Sequence, residues 1–219
     1  MPTAKREYPN ILIVEGNDDK FSVIGLMEHH TDWSNKPEEW PVWVEVGKSV
    51  EEILAKGYLT VEIKATNVKV LGVMLDADDN PQGRYQRIKN MCTPLFPTLP
   101  NELPQTGLVV DNADEKRLGV WIMPDNTSNG DLETFLKYLV PTEKEHLWLM
   151  ACESVERAVA VGAECRVCHY PKANLYTWLS WQDPPGQSPG IALSSKILDP
   201  KAPYSEPFVR WFKDLYKLG

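Results

Sequence analysis

Two stretches of the sequence decide the fold, and they share one pattern. Residues 11–19 read ILIVEGNDD, and residues 70–79 read VLGVMLDADD. In each stretch an apolar, partly β-branched run is typical of a buried strand of a parallel sheet, and carboxylates begin where that run stops. Ligands of open α/β sheets bind just outside the carboxyl ends of the strands. The pattern therefore predicts that acidic side chains from two neighbouring strands meet at one edge of a sheet.

Clustered carboxylates repel one another, so such a cluster is stable at neutral pH only beside a cation. Alternation along an extended strand end predicts that Asp76 and Asp78 lie on the same side. Glu15 ends the first strand, and Asp19 lies in the first turn of the following helix. There Asp19 either leans back toward Glu15 or simply favours the helix N-terminus. From this arrangement we expect a divalent metal site and phosphate chemistry.

A third acidic stretch follows a later predicted strand and opens a helix. Residues 128–133 read SNGDLE, so Asp131 and Glu133 are candidates for the rim of the same acidic site. The stretch also has an ordinary structural explanation, in which Asp131 caps the helix and Glu133 complements the helix dipole. Both interpretations stay open at this point.

The remaining sequence predicts a Rossmann-like α/β fold with a helical extension. Strands and helices alternate over residues 1–140, which indicates a mostly parallel sheet flanked by helices. Residues 141–219 are expected to form a smaller, mainly helical extension packed on that domain. Predicted strands span 11–14, 42–46, 68–75, 108–110 and 118–123; predicted helices span 18–30, 49–55, 81–92, 132–139, 143–161, 172–181 and 208–218, and 191–198 is a short element of uncertain type.

Composition narrows the class of protein. The formal net charge of -8 over 219 residues argues against a broad basic surface for duplex DNA. No apolar run reaches the roughly 18 residues of a membrane helix, and residues 1–9 are polar, unlike a signal peptide. We therefore expect a cytoplasmic protein without a membrane partner, whose cysteines are reduced.

A cysteine motif offers a second possible metal site. Cys165, Cys168 and His169, with Cys152 earlier in the chain, have the residue types of a Cys/His zinc site. One Cys-x-x-Cys pair with an adjacent histidine is an incomplete match, because a complete site has two well-spaced pairs. Buried reduced thiols are the favoured interpretation.

The order of the acidic motifs resembles a known domain. A strand that ends in Glu-Gly, a helix, and a later strand that ends in Asp-x-Asp are similar to the Toprim domain of topoisomerases, bacterial primases, OLD-family nucleases and recombination-repair proteins. The resemblance covers about residues 9–140, and residues 130–133 resemble a third acidic motif of OLD-like members. The whole chain also resembles a family of stand-alone, OLD-related bacterial Toprim proteins, in which residues 171–179, PKANLYTWL, form a familiar tail.

The resemblance implies Mg²⁺- or Mn²⁺-dependent phosphodiester chemistry on nucleic acid, as in a nuclease or a nuclease-like subunit of DNA repair or phage defence. OLD-type nucleases also use a basic residue near the scissile phosphate, for which Lys172 and Lys196 are candidates. Glu15 has a further implied role as general acid/base. The metal ligands that the resemblance implies are Glu15, Asp19, Asp76, Asp78, Asp131 and Glu133.

Other features of the sequence bear on the expected partners and on alternative functions. The sequence has no P-loop motif, so any ATPase is expected to be a separate subunit. Aromatic residues are frequent after residue 170; packing against the sheet is the favoured interpretation, and stacking on single-stranded bases or a homodimer contact are alternatives. Two alternative functions stay open: a non-catalytic protein-binding module, and a metal-dependent phosphohydrolase acting on nucleotides.

Overall fold

The structure, a computed structural model, describes residues 8–34, 36–47 and 49–219. The prediction that residues 1–9 are no signal peptide therefore falls mostly outside the described residues. Within these ranges one sheet has the strand order β2-β1-β3-β5-β4. Its strands are β1 (Asn10–Val14), β2 (Trp43–Val46), β3 (Val70–Asp76), β4 (Leu108–Asp111) and β5 (Arg117–Met123).

The sheet is mostly parallel, as predicted. Strand β1 pairs in parallel with β2 and β3, and β3 pairs in parallel with β5, with Asp76 opposite Met123 in register. Only the edge strand β4 is antiparallel to its neighbour among these pairings. Because β1, β3 and β5 run in the same direction, the residues that follow them share one edge of the sheet, called here the carboxyl edge.

Helices cover both faces of the sheet. They are α1 (Asn17–Met27), α2 (Val50–Ile53), α3 (Tyr58–Lys64), α4 (Pro81–Cys92), α5 (Leu132–Lys137), α6 (Glu145–Ala160), α7 (Tyr170–Ser180), α8 (Pro189–Ser194) and α9 (Glu206–Tyr216). Helices α2, α3 and α4 contribute to the core on one face, and α1 with α5 to α9 contribute to the core on the other. In the described part of the chain, no helix combines the length and apolar character needed to cross a membrane.

Successive side chains of each strand point to opposite faces of the sheet, and this alternation forms the two cores. On β3, Val73 and Leu75 belong to the core beneath α3 and α4, whereas Met74 belongs to the core beneath α1 and α9. The same alternation directs Asp76 toward the face that α1, α5 and α7 cover. The Asp76 carboxylate, at the last position of β3, therefore points toward the N-terminal ends of helices on that face.

The C-terminal extension shares the core of the sheet. Gly72 and Gly119 make room for α9, because a Cβ atom on either would come within 2.3 Å of Tyr216 or Leu215. Trp178 of α7 is fully buried in the same core, which confirms the packing interpretation for this aromatic residue. Residues 141–219 thus pack on the α/β part as an integral layer, and α7 brings side chains to the carboxyl edge.

Two elements differ from the prediction. Helix α3 occupies residues to which the sequence analysis assigns no element, because only Leu59 and Ile63 mark its buried face. The uncertain element after residue 190 is the short helix α8, whose Gly190 lies against α1: a Cβ atom on Gly25 would stand 2.4 Å from the Gly190 carbonyl. Neither difference alters the order of the strands that lead to the carboxyl edge.

Candidate metal centre

An open cleft of about 830 Å³ lies at the carboxyl edge. Residues that follow β1, β3 and β5 line it, together with the start of α2 and the segment that leads into α7. Its charged lining residues are Glu15, Asp18, Asp19, Glu51, Asp76, Asp78, Asp131, Glu133, Arg84 and Lys172. All six predicted metal ligands therefore line one cleft, as the sequence pattern predicts.

Asp76 is the centre of the acidic cluster. It is the last residue of β3, and its Oδ1 atom is buried without a hydrogen-bond partner in the described structure. Burial raises the pKa of Asp76 to about 9, and the rise is increased by the negative charges of Asp19, Glu15, Asp131 and Glu133. An ionised carboxylate that is buried without a hydrogen-bond donor raises the free energy of the folded state. The Asp76 carboxylate therefore favours binding either a proton or a cation.

Glu15 faces Asp76 across the two central strands. Its Oε1 atom accepts a hydrogen bond of 2.8 Å from the backbone N–H of Asp76. Burial raises the pKa of Glu15, and the Asp76 N–H and the Arg84 charge offset only part of that rise. Glu15 is therefore fixed at the strand end, with a pKa above that of an ordinary glutamate.

Asp19 combines the two roles between which the sequence cannot decide. Its Oδ2 atom accepts a hydrogen bond of 2.9 Å from the Gly16 N–H, which satisfies the start of α1. Asp19 is also only 7 % exposed, and burial, followed by the charge of Glu15, raises its pKa to about 7. The carboxylate thus caps the helix and belongs to the acidic cluster.

Asp78 departs from the extended geometry that the sequence predicts. Strand β3 ends at Asp76, and Asp78 has a left-handed φ of 52°, so the expected alternation stops before it. Backbone hydrogen bonds of 2.8 Å in both directions tie Asp78 to Gly130. The Asp78 carboxylate, 59 % exposed, pairs with Arg84 of α4 instead of lying beside Asp76. Asp78 therefore lines the cleft as an outer residue.

Asp131 and Glu133 reach the cleft from the start of α5. Asp131 is the N-cap, and its Oδ1 atom accepts a hydrogen bond of 2.8 Å from the Thr134 N–H, so the capping interpretation is confirmed. The Glu133 side chain is only 11 % exposed and lies 3.3 Å from Lys172 Nζ. Burial, followed by the charge of Asp131, raises the pKa of Glu133.

Lys172 stands above the cluster on α7. Its Nζ atom lies 3.2 Å from Asp18 and 3.3 Å from Glu133. The Tyr176 hydroxyl, one turn later, donates a hydrogen bond of 2.9 Å to the same Asp18 oxygen. Burial acts to lower the pKa of Lys172, but the charge of Glu133 and the contact with Asp18 outweigh it and raise the pKa. Lys172 is held as a cation at the rim.

Of the two candidates for the basic residue of the site, Lys172 lines the cleft and Lys196 does not, so the structure does not support the Lys196 candidate. It lies three residues beyond Leu193, whose carbonyl oxygen is 3.2 Å from His29 Nε2, just past the C-terminal end of α1. The acidic cluster lies at the N-terminal end of that helix. Eleven helical residues span about 16 Å, which separates Lys196 from the cluster.

The comparisons with known proteins identify the family of the chain. The family described as "Protein of unknown function (DUF3226)" matches residues 9–217, nearly the whole sequence. The chain belongs to the DUF3226 family. No curated protein and no solved structure matches it. The family match carries no statement about activity, so the function of this DUF3226 chain is argued from the site.

Sequence reasoning missed three residues of the DUF3226 site, which are Asp18, Arg84 and Tyr176. Asp18 is not among the predicted site residues, yet it bonds Lys172 and Tyr176 across 154 and 158 positions of the chain. Arg84 falls within the helix predicted over residues 81–92 and is not among them either, yet it contacts Asp78. No spacing rule reveals contacts of such length. The i, i+4 spacing of Lys172 and Tyr176 is the one local signal that places them on the same helix face.

In the described part of the chain, Cys152, Cys165, Cys168 and His169 are not grouped as a set of metal ligands. Cys152 and Cys165 are half-buried and Cys168 is exposed, so the expectation of buried thiols is wrong for these three cysteines. Residues 8–34, 36–47 and 49–219 contain no group of three or more His, Cys, Asp or Glu side chains already arranged to hold a metal ion. At the carboxyl edge, Glu15, Asp19 and Asp78 are turned toward the protein donors described above.

Proposed function

We propose that this DUF3226 protein uses its acidic cleft to bind one or two divalent metal ions, Mg²⁺ or Mn²⁺, and to cleave phosphodiester bonds. The observation that carries the proposal is the convergence of Glu15, Asp19, Asp76 and Glu133, with an unpartnered oxygen of Asp76 buried at its centre. Mutual repulsion in such a cluster is relieved by a cation. Carboxylate oxygens are the ligands that Mg²⁺ and Mn²⁺ prefer.

The residues present fit such an ion. Asp76 and Glu133 offer partly buried carboxylates, and Asp19 keeps one oxygen beyond the one that accepts from Gly16. Asp131 and Asp78 extend the ligand set toward solvent. When bound, a divalent cation supplies a Lewis acid for a phosphoryl oxygen and lowers the pKa of a bound water.

Protein groups supply the other parts of the proposed chemistry. Glu15 is held by the Asp76 N–H at the strand end, and burial raises its pKa, the direction that favours a general acid/base over a permanently ionised carboxylate. Lys172 stands at the rim as a cation and binds a phosphate oxygen. The resemblance to Toprim domains of OLD-type nucleases supports the same assignment and makes nucleic acid the leading substrate, with a separate ATPase subunit as a possible partner.

Calorimetry with Mg²⁺ and Mn²⁺ tests the metal site directly. We expect wild type to bind metal and Asp76→Asn to bind it at least about tenfold more weakly, since even outer-shell changes cost about 10–100-fold. Asp111→Asn is the matched control, because Asp111 is paired with Arg117 at a distance of 2.8 Å on β4, away from the cleft. Equal metal affinity in wild type and Asp76→Asn would contradict the proposal. Absence of binding in wild type would favour the non-catalytic binding module.

A nucleotide phosphohydrolase is the second candidate function. The cleft volume of about 830 Å³ lies within the range of about 300–1,000 Å³ that is usual for small-molecule sites. A panel of single-stranded DNA, duplex DNA, RNA and mononucleotides, each with Mg²⁺ and Mn²⁺, separates the two. A nuclease cleaves the polymers and loses this activity in Asp76→Asn; a phosphohydrolase acts on the mononucleotides alone.

A further inference from the structure

Two cations face the acidic cluster, and they come from opposite faces of the sheet. Arg84 lies on α4, whose core residues pack on one face, and Lys172 lies on α7, which packs on the other. Arg84 pairs with Asp78, and Lys172 pairs with Glu133 and Asp18. Both cations are therefore bound to residues that the proposed function assigns to the metal.

An ion pair and a metal ion compete for the same carboxylate. Asp78 pairs with Arg84, so coordination of Asp78 weakens the hold on that guanidinium; the same holds for Glu133 and Lys172. The Arg84 side chain is only 18 % exposed, so it is poorly compensated by water once it loses its partner. Once Arg84 has lost its carboxylate partner, its guanidinium favours binding a new anion. Phosphate is the anion that fits a guanidinium best.

We propose that Arg84 and Lys172 exchange partners: each gives up a carboxylate to the metal and then binds a phosphate of the substrate. This inference rests on the proposed function and adds to it a coupling between metal binding and phosphodiester binding. Because Arg84 and Lys172 approach from the two helical layers, a bound phosphodiester lies between them, over the carboxyl edge. Metal and phosphodiester binding are then positively coupled, and the coupling is the same in either order of binding.

The first test measures Mg²⁺ affinity by calorimetry without phosphate. Removal of a competing cation should tighten Mg²⁺ binding by roughly two- to fivefold in Arg84→Gln and in Lys172→Gln, the range expected for a partly exposed ion pair. Arg117→Gln is the matched control, because Arg117 pairs with Asp111 at 2.8 Å, and Asp111 lies away from the cleft. Unchanged or weaker Mg²⁺ binding in both variants, or an equal gain in the control, would overturn the inference.

The second test measures phosphodiester affinity with a fluorescein-labelled four-nucleotide oligothymidylate in EDTA and in Mg²⁺. We expect Mg²⁺ to tighten oligonucleotide binding in wild type, and Arg84→Gln and Lys172→Gln to lose about tenfold or more of affinity only when Mg²⁺ is present. Arg84→Lys should retain most of the effect. Opposite changes in metal and oligonucleotide affinity in one folded variant are not expected from a purely structural role.

The two tests separate failure of this inference from failure of the proposed function. If wild type binds no Mg²⁺, both are overturned. If wild type binds Mg²⁺ and loses it in Asp76→Asn, but Arg84→Gln and Lys172→Gln lose oligonucleotide affinity equally in EDTA and in Mg²⁺, the metal site stands and the exchange of partners is overturned.

Discussion

Two neighbouring strands end in aspartates that have opposite environments. Asp76 ends β3, and Asp125 follows β5 two residues after Met123, the register partner of Asp76. Asp125 accepts four hydrogen bonds of 2.7–3.0 Å from Thr127 and Ser128. Burial acts to raise the pKa of Asp125, but these hydrogen bonds outweigh it and lower the pKa, whereas the pKa of Asp76 is raised to about 9.

The comparison shows that a carboxylate after a parallel strand is not by itself a sign of a site. The turn after β5 satisfies Asp125 with its own donors, so that side chain needs no further partner. Asp76 has an unpartnered oxygen and acidic neighbours, so its free energy is lowered only by a proton or a cation. The contrast is therefore between a carboxylate that its own turn satisfies and a carboxylate that needs a proton or a cation.

Neutralising Asp76 should stabilise the metal-free protein. We expect Asp76→Asn to raise the free energy of unfolding in EDTA at pH 8 by about 2–4 kcal/mol, because the ionised carboxylate is disfavoured by burial and repulsion. Urea denaturation measures the change. Addition of Mg²⁺ should stabilise wild type and leave Asp76→Asn unchanged. Destabilisation of Asp76→Asn in EDTA would mean that the carboxylate is satisfied in the fold.

The stability of wild type in EDTA should fall as the pH rises. The raised pKa values of Asp19, about 7, and Asp76, about 9, mean that the folded state holds protons that the unfolded state releases near pH 4. Their contribution is complete below pH 4 and is lost progressively as the pH rises from there to about 7 for Asp19 and to about 9 for Asp76. We expect a fall of about 2–3 kcal/mol between pH 5 and 8.

Urea midpoints at pH 5, 6.5 and 8 check this pH dependence. Asp76→Asn should show a shallower fall over that range, because one of the groups with a raised pKa no longer titrates. Asp125 acts with the opposite sign: its folded pKa is lowered, so its stabilisation is present at these pH values and is lost only below its ordinary pKa of 3.8. A fall of equal steepness in wild type and Asp76→Asn would contradict the assignment to Asp76.

Replacing Asp125 should damage the fold and spare the site. Asp125→Ala removes all four hydrogen bonds of the turn after β5, and we expect a loss of about 1–2 kcal/mol in the free energy of unfolding. The Mg²⁺ affinity of the folded variant should stay within about twofold of wild type. Weakened Mg²⁺ binding in well-folded Asp125→Ala would place this aspartate in the site and remove the contrast.

Local sequence rules predict the part of the site whose residues directly follow a strand or open a helix. The apolar runs predict β1 and β3, and the carboxylates that follow them predict that Glu15, Asp19 and Asp76 meet, because parallel strands place their carboxyl ends together. The Asp131 cap follows in the same way from its position before α5.

What the sequence cannot predict depends on contacts between distant elements. Asp78 turns toward Arg84 because the backbone pairs with Gly130, 52 positions later in the chain. Lys172 reaches the cleft, and Lys196 does not, because of how α7 and α8 pack against other helices. Periodicity assigns Lys172 to a helix and leaves the type of the element around Lys196 open, and it contains no information on which end of the sheet each segment approaches.

The smallest expected effect is at Asp131, where two variants distinguish helix capping from metal binding. Asn caps a helix about as well as Asp, so Asp131→Asn should leave the free energy of unfolding within about 0.5 kcal/mol of wild type. Asp131→Ala lacks the acceptor for the Thr134 N–H and should cost about 1 kcal/mol. If Asp131 also serves the metal site, both variants should weaken Mg²⁺ binding to a similar degree, because both lack the negative charge. If Asp131 only caps α5, Mg²⁺ affinity in Asp131→Asn equals that of wild type, and the residue joins Asp125 as a structural carboxylate at the same edge of the sheet.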